Sequence, residues 1–308
     1  MQKMKSRTYC FRCVVICAVI LFTGGLWGAD IVKLQARDAV AKVLVPSAPG
    51  EQSFTSGAAT LDSSNSSLGY VMLNYNGKNP KVRFRVTTPA GINYTYFVTG
   101  YGRYVAYPLS GGSGDYKFVV YEAVPGQDNL YSTALSQSVS VTVADEFSPF
   151  LYPNYYVNFQ DTSACVKKAS VLAGDCAADL DVVSAVYHYV SGSVTYDNNK
   201  AKTVQSGYVP SPDATLAAGT GICFDYASLM SAMLRSQGIP TRLEVGYVGE
   251  LYHAWISCYI SEVGWVDGII KFDGSSWTMM DPTLAAGSSV EKVREFLKDN
   301  IYSVKYSY

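Results

Sequence analysis

The hydrophobic pattern of this chain changes its period near residue 150, and this change constrains the fold more than any other feature. From about residue 30 to residue 144, short runs alternate polar and apolar residues as half-buried strands do, with turn-forming residues between them. Strands at this spacing, without a helical period, predict an antiparallel, sandwich-like all-β domain over 30–150. The clearest strand runs are 81–87, 93–99, 116–121 and 136–143.

Beyond residue 150 the apolar residues recur at helical spacing, and strand-like runs return near residue 241. Asp179 stands where the N-cap of the second helix is expected. This second region, 151–308, predicts a mixed domain, so that the whole chain has the α+β fold class. The predicted elements are helices at 162–172, 179–190 and from Cys223 to about Gly238, strands at 241–248 and 252–260, and a helix and short final strand within 288–308.

Residues 1–29 have the pattern of a signal peptide. A basic start without acids precedes an apolar run and then a stretch of small residues. The apolar span to Ala29 is 17 residues, at the lower limit for crossing a bilayer, so a retained N-terminal anchor is the alternative. In either case we expect the rest of the chain to work outside the cytosol, secreted or in the cell envelope.

The net charge of the 308-residue chain is -1, and it changes once residues 1–29 are set aside. The remainder has 20 basic and 25 acidic residues, which is the wrong sign for a protein that neutralises phosphates. We therefore expect no nucleic-acid partner, and membrane contact only through an uncleaved N-terminal segment. Of the four remaining cysteines, Cys165 and Cys176 are close enough in sequence for a disulfide, and two buried thiols are the equal alternative.

Cys223 follows a Gly-Thr-Gly-Ile approach and begins a strongly amphipathic helix. At a helix start, free backbone N–H groups and the positive end of the dipole favour the thiolate. The same N–H groups could bind the oxyanion of a tetrahedral intermediate. The alternative interpretation of Cys223 is a small buried cysteine with a packing role only.

Two further residues could complete a nucleophilic site with this cysteine. His253 lies in a strand run and shares a face with Trp255, whereas Cys258 points the other way and is excluded. Imidazole can take a thiol proton and later protonate a leaving amine near neutral pH. Asp281, before a proline, could orient the imidazole, or it could be an ordinary turn residue. His188, the other histidine, is predicted to pack or lie at the surface.

At this point the sequence resembles the transglutaminase-like superfamily, above all its secreted bacterial members. The similarity is densest over about 175–285, and the β-rich half lies outside it. Ile256-Ser257 departs from the pattern, because many relatives carry an acidic residue just after the His-x-Trp strand. The motifs that carry the resemblance are Val194-Thr-Tyr-Asp197, Gly207-Tyr-Val-Pro210, Gly221-Ile-Cys223-Phe-Asp-Tyr-Ala227, Gly238-Ile-Pro240, Gly246-Tyr247, His253-Ala-Trp255 and Asp281-Pro-Thr283.

The resemblance implies a papain-like core in which Cys223 is the nucleophile, His253 the base and acid, and Asp281 the orienting carboxylate. It implies acyl transfer on protein or peptide amides, with an amine or water as acceptor. Tyr208 and Trp255 are further candidates near the oxyanion or acyl site. We expect no cofactor and no metal, since the sequence has no phosphate-binding loop, no calcium loop and no zinc-ligand cluster.

Three functions remain open from the sequence. The first is an exported acyltransferase of the transglutaminase-like type, and the second is a cysteine protease or amidase that uses the same triad. The third is a catalytically silent module that binds glycan or protein in the cell envelope through its tyrosine-rich sandwich. The complete set of Cys223, His253 and Asp281 favours the enzymes.

Overall fold

The computed structural model describes residues 37–248, 250–261, 263–272, 277–279 and 302–308. The predicted signal segment, Asp281 and the helix expected after residue 288 lie outside these residues. The N-terminal half contains eight strands and two short 3₁₀ helices, at Ser66–Leu68 and Ser148–Phe150. The strands are β1 (Ser53–Ser56), β2 (Ala59–Asp62), β3 (Tyr70–Tyr75), β4 (Val82–Thr87), β5 (Asn93–Phe97), β6 (Tyr104–Pro108), β7 (Gly114–Ala123) and β8 (Tyr131–Val141).

These strands form two four-stranded antiparallel sheets, in the orders β1-β2-β3-β6 and β5-β4-β7-β8. Their apolar faces meet: the rings of Phe84 on β4 and Tyr107 on β6 lie 4.8 Å apart, edge to face. Strand β4 alternates buried and half-buried residues along its length, as its sequence predicts. The sandwich-like β region is therefore confirmed.

The C-terminal half contains five helices and two further sheets. A two-stranded parallel pair joins β9 to β10, and a five-stranded antiparallel sheet has the order β14-β13-β12-β11-β15. The predicted α+β class is confirmed. The elements are α1 (Ala164–Ala173), α2 (Asp179–Ser193), β9 (Thr195–Tyr196), α3 (Asn198–Thr203), α4 (Pro212–Ala218), β10 (Thr220–Gly221), α5 (Cys223–Arg235), β11 (Thr241–Val248), β12 (Leu251–Ile260), β13 (Gly264–Phe272), β14 (Trp277–Met279) and β15 (Tyr302–Ser307).

A cluster of tyrosines joins the sandwich to the helical region. Tyr96 of β5 lies against Tyr156, with ring centroids 5.6 Å apart, and Tyr156 lies 5.1 Å from Phe224 on α5. Tyr308 packs on the same cluster, 4.7 Å from Tyr156. One hydrophobic core consequently runs from the sheets into the helices. The boundary near residue 150 marks a change of structure, and the division into separate domains there stays a prediction.

The segment 37–48, here called the strap, crosses both regions. Arg37 forms an ion pair with Asp179 at the start of α2, and the Lys42 backbone N–H donates to Ser236 at the end of α5 (2.7 Å). Ten residues after Arg37, the Ser47 N–H donates to the Tyr70 hydroxyl on β3 (3.1 Å). The strap thus packs on the helical region although the sequence placed it within the β-rich domain.

The two alternatives for Cys165 and Cys176 are resolved in favour of thiols. Both cysteines are buried and no disulfide joins them, and the Cys176 thiol donates to the Leu172 carbonyl (3.3 Å). His188 is exposed on α2, as expected. Among the described residues, no helix has both the length and the apolar character needed to span a membrane.

Candidate active site

Helix α5 places Cys223 at its first residue and is buried along almost its whole length. Its N-cap is Ile222, whose backbone N–H donates to the Asp225 carboxylate (2.9 Å). The loop before the helix approaches this carboxylate closely, since a Cβ atom added to Gly221 would lie 2.7 Å from the Asp225 Cβ. Packing against Asp225 therefore requires a glycine two residues before Cys223.

The Cys223 side chain is half-buried and reaches the strand that carries His253. The backbone N–H groups of Ala254, one residue after His253, and of Phe224 are near enough to the Cys223 sulfur to lower the pKa of its thiol. The structure thus brings the first turn of α5 onto β12 where the sequence predicted the two partners to meet.

His253 lies on β12 opposite Gly246 of β11 and is buried. Burial lowers the pKa of its imidazole, so the ring is neutral at neutral pH and can accept a proton. Cys258 is buried among core residues, where Thr241 Oγ1 lies 3.7 Å from its sulfur. Its exclusion from the site agrees with this position.

The thiol of Cys223 differs from the expectation of a stabilised thiolate. Burial raises the pKa of Cys223, and the nearby Asp225 carboxylate raises it further, although the N–H bonds from Ala254 and Phe224 lower it. The nearby backbone N–H groups lower the pKa of the Cys223 thiol, but its burial raises that pKa by more. At neutral pH the thiol of Cys223 and the imidazole of His253 are consequently both neutral.

Tyr196 of β9 is a site residue that the sequence reasoning missed. Its hydroxyl lies close enough to Cys223 for each of the two groups to shift the pKa of the other. Burial raises the pKa of this phenol to about 12, so it remains protonated and can donate to sulfur. The signal was present, because Tyr196 belongs to the Val194-Thr-Tyr-Asp197 motif.

Tyr208 reaches the same helix turn, but through Asp225. Its hydroxyl donates to one oxygen of the fully buried Asp225 carboxylate. Lys200 of α3 completes the group, with its ammonium 2.6 Å from Asp225 Oδ2 and 2.7 Å from the Tyr208 oxygen. Tyr208 therefore supports the turn that carries Cys223, and its role at the acyl site stays a prediction.

Trp255 is buried, and its indole N–H donates to Glu244 of β11 (2.8 Å). The same carboxylate oxygen accepts from the Ser257 hydroxyl (2.6 Å). Glu244 of β11 thus places a buried carboxylate beside Ser257. Burial raises the pKa of Glu244, which the two hydrogen bonds oppose. The contribution of Trp255 to an acyl site also stays a prediction.

Asp281 lies outside the described residues, so its role as the orienting carboxylate stays a prediction. Among the described residues, no group of three or more His, Cys, Asp or Glu side chains is placed to hold a metal ion. The described part of the site therefore consists of Cys223, His253 and Tyr196, with Asp225 and Lys200 behind the first turn of α5.

This arrangement agrees with a comparison against protein families. Residues 167–282 match the model of the transglutaminase-like superfamily. The chain contains a transglutaminase-like core. The match spans the elements from α1 to beyond β14 and includes Cys223, His253 and Asp281, whereas the sandwich lies outside it. The resemblance that the motifs indicated is confirmed.

Solved structures similar to this chain come from bacteria and from fish. A candidate cysteine protease from Cytophaga hutchinsonii is 17% identical, with a TM-score of 0.34, over 78% of this chain and 70% of that one. A candidate protease from Parabacteroides distasonis is 16% identical, with a TM-score of 0.28, over 47% and 32%. Red sea bream transglutaminase is 14% identical, with a TM-score of 0.27, over 70% and 48%. A search of curated proteins finds no match.

Proposed function

We propose that this protein is an exported acyl-transfer enzyme of the transglutaminase-like type that acts on protein or peptide amides. Cys223 is the nucleophile, His253 the general base and acid, and Asp281 the residue that orients the imidazole. The observation that carries the proposal is the packing of the first turn of α5 on β12, which places Cys223 close to the backbone N–H of Ala254, the residue after His253. The family match over 167–282 supports the same assignment.

The protonation states support a base-assisted attack. A buried thiol with a raised pKa needs a base, and the imidazole of His253, with its lowered pKa, is neutral and able to serve. His253 takes the thiol proton as sulfur attacks the amide carbonyl. Tyr196, protonated beside the sulfur, donates a hydrogen bond that stabilises the developing thiolate.

The same geometry supports the later steps. The backbone N–H groups of Phe224 and Ala254 point at the sulfur and can turn to the oxyanion that forms next to it. The imidazolium of His253 then gives its proton to the leaving amine, and the acyl group remains on Cys223. An incoming amine yields a crosslink, whereas water yields hydrolysis, so the acceptor decides between the transferase and the protease or amidase.

The test is incubation of the full chain with a glutamine-rich protein and a labelled primary amine, followed by mass spectrometry of the products. We expect either amine incorporation or amide hydrolysis, and its loss in Cys223→Ala. Cys258→Ala is the matched control, because that thiol is buried in the core away from the site. Neither product from correctly folded protein would instead support a silent binding module.

Export is the second part of the proposal and rests on the pattern of residues 1–29. Expression in a bacterium, separation of the secreted and envelope fractions from the cytosol, and mass spectrometry of the N-terminal peptide test it. Recovery of most of the protein in the cytosol would contradict export. A shortened N-terminus near Gly25 or Ala29 would identify cleavage, and an intact one in the envelope fraction would identify an anchor.

A further inference from the structure

Strand β4 carries a line of cations on its outer face. Its apolar residues point toward the other sheet, as the contact of Phe84 with Tyr107 shows, so the alternate residues lie on the outside. The line, here called the basic row, consists of Lys81 just before β4, Arg83 and Arg85 on β4, and Lys117 on β7. Lys117 extends the row because it pairs with Thr87, the next outward residue of β4. None of these cations takes part in the proposed chemistry.

Aromatic rings hold the two arginines of the basic row. The Arg83 guanidinium carbon lies 4.3 Å from the ring centre of Tyr131 on β8 and 5.3 Å from that of Phe97 on β5. The Arg85 guanidinium carbon lies 5.2 Å from the ring centre of Tyr121 on β7. Such cation–π contacts restrict the two side chains, so less conformational freedom is lost when a ligand pairs with them.

The basic row has no anionic partner within the described part of the chain. The ion pairs there join Arg37, Lys200 and Arg242 to their acids and include no member of the row. Arg83 and Arg85 are half-buried, and their Nε atoms are buried without an acceptor among the described residues. Partial desolvation of these guanidinium groups is therefore uncompensated, and a bound anion would offset its cost.

Acids are nearly absent from the same face of this sheet. Its four strands, all within the described residues, contain two acids, Asp115 and Glu122. Glu122 points toward the other sheet, where it accepts from the Tyr75 hydroxyl (2.6 Å). Asp115 lies at the end of β7, beyond Lys117, and accepts from the Ser140 hydroxyl. The outer face is therefore basic, although the chain after residue 29 has more acids than bases.

From the spacing, the aromatic support and the charge of the basic row, we propose that this face binds an acidic protein segment in extended conformation. Side chains on one face of a strand repeat every two residues, or about 6.6 Å, and Lys81, Arg83 and Arg85 follow this repeat. An extended segment with an acid at every second position has the same repeat, so each carboxylate can pair with one cation.

The strand repeat favours a peptide over an acidic glycan, whose charges are spaced by sugar rings. The face is open to solvent, since Thr95 of β5 and Ser136 of β8 are exposed on either side of the row. The inference does not depend on the proposed function, because no member of the row belongs to the triad.

The test measures the binding of fluorescent peptides to the full chain with Cys223→Ala, so that peptides are bound and not consumed. One peptide alternates four glutamates with threonines. A second has the same composition with its glutamates consecutive, and a third has glutamine in place of each glutamate. Fluorescence anisotropy gives the three Kd values.

We expect the alternating peptide to bind about fivefold more tightly than the consecutive one, because consecutive side chains of an extended chain point to opposite faces. It should bind more than about tenfold more tightly than the glutamine peptide. Its binding should weaken as the salt concentration rises from about 0.05 M to about 0.5 M, since salt screens exposed ion pairs.

Variants locate the binding on the basic row. Arg83→Met and Arg85→Met keep an apolar chain on the aromatic rings but remove the charge, so each should weaken binding of the alternating peptide about threefold to fivefold. Lys167→Met, exposed on α1, is the control and should leave it unchanged.

Equal binding of the alternating peptide and either comparison peptide would overturn the inference, as would unchanged binding in both arginine variants. Binding of polygalacturonate without binding of the acidic peptides would identify an acidic glycan as the partner and would also overturn it. Loss of amide chemistry in the chain with Cys223, together with peptide binding on the row, would refute only the proposed function.

Discussion

The Lys200 ammonium lies 2.6 Å from Oδ2 of Asp225, a carboxylate with no exposed surface that stands two residues after Cys223. The same oxygen accepts from the Ile222 N–H, and the other oxygen accepts from Tyr208. A single buried acid therefore fixes the N-cap of α5 and attaches α3 to it. The position of Cys223 therefore depends on a cation 23 residues earlier in the sequence.

Removal of the Lys200 charge should lower the free energy of unfolding and raise the pKa of the Cys223 thiol. In Lys200→Met the buried Asp225 charge loses its partner, which we expect to cost about 2 kcal/mol because Lys200 is partly exposed. The uncompensated charge should also raise the pKa of Cys223, since Asp225 already raises it. Urea unfolding and the pH profile of Cys223 alkylation measure the two effects. Lys202→Met, exposed on the same helix, is the control, and equal behaviour of the two variants would contradict the role of Lys200.

The effect of Tyr196 should be measurable in the pH dependence of Cys223 alkylation. We expect the rate of alkylation by iodoacetamide to reach half its maximum above the ordinary cysteine pKa of about 8.5, because burial raises the pKa of this thiol. Tyr196→Phe removes a hydrogen bond that lowers the pKa and should shift the profile further upward. Tyr131→Phe on β8 should leave it in place. A profile centred below 8.5 in the parent protein would refute the neutral thiol.

Glu244 should make the folded protein less stable as the pH rises, which is the opposite of the usual effect of a carboxylate. Its folded-state pKa is raised by burial, so the protonated form is favoured in the folded protein. Its contribution is complete below the unfolded value of about 4.3 and is lost as pH rises through the folded pKa. Glu244→Gln keeps an oxygen for Trp255 and Ser257 without the charge, so it should be about 1 kcal/mol more stable than the parent at pH 7 and equal near pH 4. Chemical unfolding at both pH values tests this prediction. A Glu244→Gln variant that is less stable than the parent protein at pH 7 would contradict it.

Arg235 should be among the most costly residues to replace. It is fully buried at the end of α5 and donates to the carbonyls of Tyr152, Thr241 and Tyr308 at 2.5–2.9 Å. Burial lowers its pKa to about 9, which leaves it charged at neutral pH. Arg235→Met leaves these three carbonyls without a hydrogen-bond donor, and we expect a loss of about 3–5 kcal/mol in unfolding free energy. Lys167→Met, exposed on α1, should change stability by less than about 0.5 kcal/mol.

The sequence predicted one sheet of the sandwich better than the other. The four runs singled out by alternation became β4, β5, β7 and β8, which together form a single sheet. Strand β3 of the other sheet is buried on both faces, because Tyr70 and Met72 pack against Ala48 of the strap and against Tyr152. A strand covered on both sides does not alternate, and the contact that covers it comes from a distant segment.

The residues of the site that belong to short sequence motifs were predictable. The charged residues that contact each other only in the folded chain were not. Cys223 and His253 follow from motifs, and Tyr196 could have followed from the same source. Lys200 was not predictable, since only packing brings its ammonium to Asp225. The raised pKa of Cys223 depends on burial by the whole core, which a helix-start rule does not include. Similarly, the cap of α2 is made by Asp181, whose carboxylate accepts from the Ala178 N–H (3.0 Å), and not by Asp179.

The strap also sets an order on the folding of the chain. Arg37 is made before its partners Asp179 and Gln237, which follow it by 142 and 200 residues. Strand β11 likewise pairs with β15, the last described strand, and cannot complete its pairing before β15 is made. As the chain emerges from its N-terminus, the sandwich sheets can pair early, but the strap stays without its helical contacts until most of the protein has appeared. We therefore expect the earliest described residues to be among the last to reach their native place.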